Sequence, residues 1–491
     1  MKKFVIFLVV VTFLAMPMVA MAKMGSGKVT AKSKDIDIEM FGTLKTYPHF
    51  FSNPDFNDDD TPYDKILDEN GWMDDTSIRN EFRLGWKGTG KNWDFLVILE
   101  ADFSLNKANG DRGEGPETPG ASGMSGNSFG VEKLQFRYYF EDYGLPVGIE
   151  TGWQTKWLDI KTGGLVYGDD HPYIGLYGKI GSASWEALYL TIQDTIENIG
   201  KSGTPLDGDA LDWRAYTLKI NFPIQSEDMD LVISPFYAFS ENEEHKAYVN
   251  YLGAEMYGKI GMFTPRLEIA YAVGTEDDVI LPNGSEDDLD VGAFAAFASL
   301  DININKSLIP YIGGYYIQGD GDANDGDAEA FNPITNISRY TPTFGMENAF
   351  IYRYVPALGS HLYANDFGVL GQTGGYGGIG NTNLLENPGM IMIGGGLKGT
   401  YNKWSYKTQI MYFWFDDTGA LEDLGTYAGG NDIDDNVGLE FDLQLTYKFS
   451  NHFSIGNVFA LFDPGDGVED IMGEDYDETA IMDTVELKWS F

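Results

Sequence analysis

Residues 437–449 read VGLEFDLQLTYKF and alternate strictly between apolar and polar side chains. The odd positions are Val, Leu, Phe, Leu, Leu, Tyr and Phe, and the even positions are Gly, Glu, Asp, Gln, Thr and Lys. A period of two is that of a β-strand with one face in an apolar medium and the other in water. The stretch is longer than an average strand of about five or six residues and matches a tilted membrane-spanning strand of about nine to eleven. It therefore predicts a strand that crosses a membrane.

The same period recurs along the chain. Residues 147–157, 263–273 and 78–87 also alternate, with charged and amide side chains on the polar face. A soluble β-sandwich would alternate too, but runs of this length favour membrane-spanning strands. The whole sequence predicts about 18 strands, and its pattern is compatible with 16–20. Alternatively, 346–355 and 361–370 are two further strands, which would make twenty. The predicted strands are 36–47, 77–87, 92–104, 130–141, 146–158, 173–181, 184–193, 212–222, 229–241, 247–260, 262–274, 289–303, 307–318, 389–401, 403–416, 435–449, 451–463 and 479–491.

The connections between these strands are of two kinds that alternate. Eight are short and polar, such as 88–91 and 142–145, and nine are longer, such as 48–76, 105–129 and 319–388. Short turns at one end and long loops at the other are typical of outer-membrane barrels. The predicted fold class is therefore all-β, a transmembrane antiparallel β-barrel with short periplasmic turns and long acidic extracellular loops.

The first residues predict secretion. Lys2 and Lys3 precede an apolar run over 4–15, and the small residues Ala20 and Ala22 flank Met21. This order of a basic start, an apolar run and a small-residue site is that of a cleaved signal peptide. We expect three parts: a signal peptide over 1–22, a short periplasmic segment over 23–35, and the barrel over 36–491.

Composition excludes several classes of function. The 491 residues carry a formal net charge of −42, which argues against nucleic-acid binding, and the absence of cysteine excludes disulfides and cysteine-bound clusters. Five predicted loop regions (54–75, 276–290, 320–329, 416–435 and 463–478) together hold 36 acidic residues against one base, Lys65. We expect a solvated acidic rim that repels anions and attracts cations.

Cation binding by these loops is the alternative. Ca²⁺ and Mg²⁺ prefer oxygen ligands, so weak candidates are Asp320, Asp322, Asp325 and Asp327. The stretch departs from a Ca²⁺-binding EF-hand loop, because Asp325 stands where the turn glycine belongs and Phe331 where the last glutamate belongs. No firm metal site and no cofactor are predicted.

The last strand carries the most specific signal. Residues 481–491 read IMDTVELKWSF, and one face of the strand holds Ile481, Asp483, Val485, Leu487, Trp489 and Phe491. In this ending the chain resembles the outer-membrane porins of Gram-negative bacteria, and in length and loop composition most of all those of sulfate-reducing bacteria. The resemblance implies an outer-membrane location, recognition of Phe491 by the barrel-assembly machinery, contact with lipopolysaccharide, and a homotrimer. Porins commonly fold a long loop into the barrel, so 319–388 is expected to constrict the pore, with candidates Arg339, Glu347 and Arg353.

Charged side chains on the polar face of the strands are expected to line a lumen, because charges facing lipid at mid-depth are costly. The pore-lining candidates are Arg79, Glu81, Arg83, Asp94, Glu100, Asp102, Lys133, Arg137, Glu150, Arg266, Glu268, Glu440 and Asp442. Bases on 77–87 and 130–141 could face acids on the strand between them and set up a transverse field. Ordinary salt bridging within the wall is the alternative.

No enzyme is predicted, because the five histidines are scattered and no nucleophile motif is present. The predicted function is a water-filled channel for passive diffusion of small hydrophilic solutes and ions, mildly preferring cations. The alternatives are a substrate-specific uptake channel and a plugged barrel with a structural or surface role.

Overall fold

The long alternating strands pair with their neighbours in sequence, and the first pairs with the last, so the sheet closes into a barrel. The computed structural model describes residues 29–32, 37–53, 56–57, 76–104, 130–193, 212–243, 245–281, 283–336, 387–424 and 432–491. The barrel strands are Asp37–Ser52 (β1), Thr76–Thr89 (β2), Trp93–Ser104 (β3), Gly130–Tyr139 (β4), Val147–Trp157 (β5), Tyr167–Ile180 (β6), Ala183–Gln193 (β7), Trp213–Ser226 (β8), Met229–Asn242 (β9), Ala247–Ile260 (β10), Phe263–Ile280 (β11), Glu286–Ile302 (β12), Ile309–Ile317 (β13), Met390–Tyr401 (β14), Trp404–Trp414 (β15), Asn436–Lys448 (β16), Phe453–Pro464 (β17) and Ala480–Ser490 (β18).

The predicted fold class is confirmed: the chain is a closed antiparallel barrel of 18 strands. All 18 predicted strands are present. The largest difference is that β6 begins at Tyr167 rather than at 173 and β11 runs on to Ile280 rather than ending at 274. These extensions lie at the end with the long loops, where both faces of a strand can be polar and the alternation disappears.

The first and last barrel strands form the seam of the barrel. They pair antiparallel from Thr43 opposite Ser490 to Ser52 opposite Ile481. Beyond them Gly42 and Phe491 exchange two backbone hydrogen bonds of 3.0 Å, and the Phe491 ring covers Gly42 so closely that a Cβ there would lie 2.3 Å from it. The short strand Val29–Lys32 pairs with the start of β1, where β18 has already ended.

The two ends of the barrel differ as predicted. At the short-turn end, strands are joined by a few residues, as at Gly181 and Asn402, which adopt left-handed backbone angles. The other end, called the long-loop end below, carries the helices α1 (Gly419–Leu424) and α2 (Asp466–Met472) within its loops. In the described part of the chain, the helices are too short or too polar to span a membrane.

The outer surface of the barrel is apolar. On β11, Leu267, Ile269 and Tyr271 are 44–56% exposed, whereas the alternating Glu268 and Ala270 are 1% exposed. The same exposure of large apolar side chains recurs on β6, β8, β10 and β15. Such a band, facing away from a charged interior, is the surface that a transmembrane barrel presents to lipid.

The interior is apolar towards the long-loop end, which the alternation alone did not indicate. Fully or nearly fully buried side chains there form one cluster that includes Phe51, Met392, Phe413, Phe462 and Met482. Loop residues join this cluster, among them Phe56 and Phe331. The loops at this end therefore pack into the barrel rather than standing free in solvent.

Part of the long 319–388 connection lies within the barrel. Asp327–Ala328 pairs parallel with Asp290 and Val291 of β12, and Thr335–Asn336 pairs parallel with Tyr167 and Gly168 of β6. Between them the inward-facing Tyr251 of β10 donates a hydrogen bond of 2.9 Å to the carbonyl of Asn332. Residues 319–336 thus pass from β12 to β6 along the inner side of the wall.

Candidate functional site: the charged lumen wall

Four clusters of charged side chains line the inner wall. The first centres on Arg83 of β2, because inward positions of neighbouring strands bring several carboxylates to it. Its guanidinium lies 2.9 Å from Glu100, 3.1 Å from Glu132 and 3.4 Å from Glu81. Lys45 of β1 completes the cluster with a 2.8 Å contact to Glu81.

The second cluster joins β4, β5 and β7. The ammonium of Lys156 lies 2.9 Å from Glu150 and 3.0 Å from Glu186, and it sits 4.6 Å from the centre of the Tyr173 ring. Gln135 donates a further hydrogen bond of 3.0 Å to Glu150. A buried carboxylate, Glu150, and a partly exposed one, Glu186, thus share one ammonium.

The third cluster lies on β11 to β16. The Asp301 carboxylate lies 3.0 Å from the guanidinium of Arg266 and 2.9 Å from the ammonium of Lys398. The same ammonium lies 5.0 Å from the centre of the Tyr311 ring. On the following strands, Gln409 donates a hydrogen bond of 2.6 Å to Asp442. The inward-facing Glu440 and Lys407 extend this cluster.

The fourth cluster is built around residues 158–166, which connect β5 to β6 and are called the inward loop below. The Thr162 hydroxyl oxygen lies 2.6 Å from Glu268 of β11 and 2.9 Å from Glu255 of β10. Lys219 of β8 forms an ion pair with Glu255. Asp159 is fully buried beside Glu268, and its burial raises the pKa of its carboxyl.

The sequence-predicted pore-lining residues meet only in part. Glu81, Arg83 and Glu100 meet in the first cluster, and Arg137 pairs with Asp94 at 2.8 Å near the short-turn end. The other predicted residues with described side chains lie on β4, β5, β11 and β16: they are Lys133, Glu150, Arg266, Glu268, Glu440 and Asp442. The side chains of Arg79 and Asp102 lie outside the described residues, as do Arg339, Glu347 and Arg353.

Bases on 77–87 and 130–141 face acids on the strand between them: Arg83 is paired with Glu100 and Arg137 with Asp94. A transverse field across the lumen stays a prediction. Adjacent strands lie only about 4.8 Å apart, so long side chains reach a sideways partner before they project into the lumen. The alternative, salt bridging within the wall, describes these contacts.

The weak metal candidates have partners of another kind. Asp320 accepts hydrogen bonds of 3.1 Å from the backbone amides of Asp322 and Glu329. Asp322 and Asp325 likewise each accept one from the amide two residues on. Across the residues that the structure describes, no group of three or more histidine or acidic side chains could hold a metal ion. Burial raises the pKa of Asp320 to about 6.

Several residues of the clusters were not among the site residues predicted from the sequence. Lys219, Glu255, Asp301 and Lys398 occupy polar positions of alternating strands, so a complete tabulation of the alternation would have included them. Thr162 and Asp159 carry no such signal, because they lie in a loop whose inward direction depends on distant strands.

Comparison with known proteins agrees with the fold. No family model and no curated protein matches the sequence. Among solved structures, OprD of Pseudomonas aeruginosa is similar, with 9% identity, a TM-score of 0.51 and coverage of 95% of this chain and 99% of that one. OccK2 (OpdF) of the same organism has 10% identity and a TM-score of 0.48, with coverage of 94% of this chain and 99% of that one. OpdK of the same organism, solved with vanillate, has 8% identity and a TM-score of 0.48, with coverage of 92% of this chain and 98% of that one. The chain has the fold of an outer-membrane channel. Closeness to porins of sulfate-reducing bacteria stays a prediction.

Proposed function

We propose that this barrel is a solute-selective channel of the outer membrane of a Gram-negative bacterium. The observation that carries the proposal is the inward loop, which lies inside the lumen and contacts Glu255 and Glu268, four and five strands further round the wall. Such a loop narrows the path at a place where charged side chains surround it. A narrow charged path selects solutes, whereas the general diffusion favoured by the sequence analysis needs a wide one.

The transported solutes are proposed to be small, hydrophilic and preferentially cationic. Three of the four clusters hold more carboxyl groups than bases. Arg83 and Lys45 lie among three, Lys156 lies between two, and the fourth cluster holds Glu255, Glu268 and Asp159, with Lys219 paired to Glu255. The third cluster, around Asp301, is balanced. At the long-loop end, 276–290 and 463–478 are acidic and contain no base, and such surroundings concentrate cations and repel anions.

Flux measurements test this proposal. Purified protein in planar bilayers should give discrete conductance steps, with a reversal potential under a KCl gradient that shows cation preference. In liposomes, uptake of a cationic solute should saturate with concentration and exceed that of neutral and anionic solutes of equal size. Uptake that rises linearly and ignores charge would support general diffusion instead, and anion preference would refute the cationic assignment.

A second candidate rests on the apolar interior. Phe56, Phe331, Phe413 and Phe462 are all fully buried where the loops enter the barrel. Packing of this kind suits a plugged barrel whose outer loops contact a partner. Folded protein that shows no conductance and no solute uptake would support this candidate.

The remaining expectations stay proposals. They comprise the homotrimer, contact with lipopolysaccharide, recognition of Phe491 by the barrel-assembly machinery and the signal peptide over 1–22. The domain limits (23–35 periplasmic, 36–491 barrel, 319–388 a constricting loop) also stay predictions. A passive channel needs no bond chemistry, in keeping with the prediction that the chain is not an enzyme.

A further inference from the structure

The inward loop is held by strands that are distant from it in the barrel. It joins β5 to β6, yet its polar partners lie on β8, β10 and β11, up to five strands further round the wall. A nine-residue connection between adjacent strands needs no such contacts to close. Its position inside the lumen therefore depends on the side chains that hold it there.

Glu268 makes more polar contacts with the loop than any other residue of the described wall, beside the apolar packing of Leu165 and Val166 in the buried cluster. Its carboxylate lies 2.6 Å from the Thr162 hydroxyl and accepts hydrogen bonds from the backbone amides of Gly163 at 2.6 Å, Gly164 at 3.2 Å and Leu165 at 3.3 Å. One carboxyl group thus accepts hydrogen bonds from a side-chain hydroxyl and from three consecutive backbone amides. These contacts join residues 162–165, the middle of the loop, to β11.

Other contacts secure the two ends of the loop. Lys219 donates a hydrogen bond of 2.5 Å to the carbonyl of Leu158, at the start of the loop. Asp159 accepts one of 2.7 Å from the amide of Val166, at its end. The first of these contacts joins the start of the loop to β8 and the second joins the two ends of the loop to each other, whereas Glu268 joins the middle of the loop to β11.

The wall is also shaped to receive the middle of the loop. A Cβ at Gly163 would lie 2.8 Å from the Cβ of Phe297 on β12 and 3.0 Å from Glu268. Only a glycine can bring the backbone this close to the wall. Shape and hydrogen bonding thus fix the same few residues at one place.

We propose that Glu268 is a positioning residue that holds the inward loop across the lumen and so sets the largest solute cross-section that the channel passes. This inference rests on the proposed channel function and adds to it the residue on which selectivity by size depends. Without the carboxyl group, the amides of Gly163 and Leu165 lose their acceptor, while Thr162 and Gly164 keep only their contacts to Glu255 and Asp159. The loop is then released towards solvent while the barrel strands remain paired.

A buried reporter tests the hold directly. The chain has no cysteine, so Val166→Cys introduces a single thiol at a fully buried position of the loop with little change in volume. Adding Glu268→Ala should raise the rate of labelling by a maleimide by at least about tenfold, because hydrogen bonds to an acidic group are lost. The control is Glu276→Ala, which removes a carboxylate from the same inner face of β11, eight residues further on, and should leave the rate unchanged.

Conductance separates this inference from the proposed function. If the barrel conducts, Glu268→Ala should increase single-channel conductance about twofold or more and admit solutes too large for the parent, while Glu276→Ala should not. If the parent does not conduct, the channel proposal fails, and the labelling result still decides whether Glu268 holds the loop. Equal labelling and equal conductance in the Glu268→Ala and Glu276→Ala proteins would overturn the inference.

A gentler variant covers the case in which Glu268→Ala does not fold. Thr162→Val removes one of the four donors, keeps the size of the side chain and leaves all charges in place. It should raise the labelling rate of Val166→Cys by a smaller factor, about three- to tenfold. No change in that rate would count against a role for these hydrogen bonds.

Discussion

Lysine at position 269 would test which face of the barrel meets lipid. Ile269 is 56% exposed on the outer face of β11 and lies six residues from Phe263, at the short-turn end. At about 3.4 Å per residue and a tilt of about 40°, these six residues rise roughly 15 Å. The apolar band of such a barrel is about 25 Å tall, so position 269 lies close to its middle.

The expected cost of Ile269→Lys follows from this depth. A lysine at the bilayer midplane destabilises a transmembrane barrel by about 2–4 kcal/mol, which corresponds to roughly a 30- to 900-fold change in the folding equilibrium. The matched control is Thr446→Lys on the inner face of β16, where the new ammonium faces the lumen. We expect that change to alter the free energy of unfolding by no more than about 0.5 kcal/mol.

Urea unfolding in phospholipid vesicles, followed by fluorescence of the ten tryptophans, measures both variants. Both variants carry the same new charge, so a difference between them reports the surroundings of that charge, lipid for position 269 and the lumen for position 446. Equal destabilisation, or an Ile269→Lys protein as stable as the parent, would refute the assignment of the outer face to lipid.

Two further predictions concern the seam and the 319–336 segment. Gly42→Val should slow barrel assembly, since its Cβ would lie 2.3 Å from the Phe491 ring. It should also lower the temperature at which heated samples lose the band of the folded barrel on gels that are run in the cold. Gly456→Ala, whose Cβ would have no contact under 3.3 Å, is the control. Burial raises the pKa of Asp320 to about 6, so the protonated carboxyl stabilises the folded 319–336 segment. This stabilisation is at most about 3 kcal/mol, and it is lost as the pH rises from about 4 through 6. In Ala328→Cys, the labelling rate of the buried thiol, divided by that of an exposed thiol, should therefore be higher at pH 7 than at pH 5. Asp320→Asn should remove this pH dependence; if the dependence survives, Asp320 is not its cause.

The strands could be predicted because a barrel wall separates two media. Wherever one face meets lipid and the other meets the lumen, apolar and polar residues must alternate, and the sequence shows this from 437 to 449. The rule fails where the two media are no longer distinct. Val437 was placed on the lipid face, yet it is fully buried. The pairing of β16 with β15 shifts register between Asn436 and Gly438, so the alternation is interrupted at Val437, which belongs to the buried cluster of the long-loop end.

The site was less predictable than the wall for a related reason. Inward charges such as Glu268 follow from strand periodicity, but their partners depend on how loops fold back into the barrel. The contacts of the inward loop are donated largely by backbone amides, which every sequence possesses. No periodicity distinguishes a loop that enters the lumen from one that stays outside.

The seam has a consequence for biosynthesis. Thr43 pairs with Ser490, so the wall joins residues from opposite ends of the chain. A nascent polypeptide cannot complete this pairing until its final residues have been made, and until then both terminal strands expose backbone groups that could pair with other chains. A chain that lacked either terminal strand would leave the sheet with two open edges, because no other described strand can pair with the one that remains.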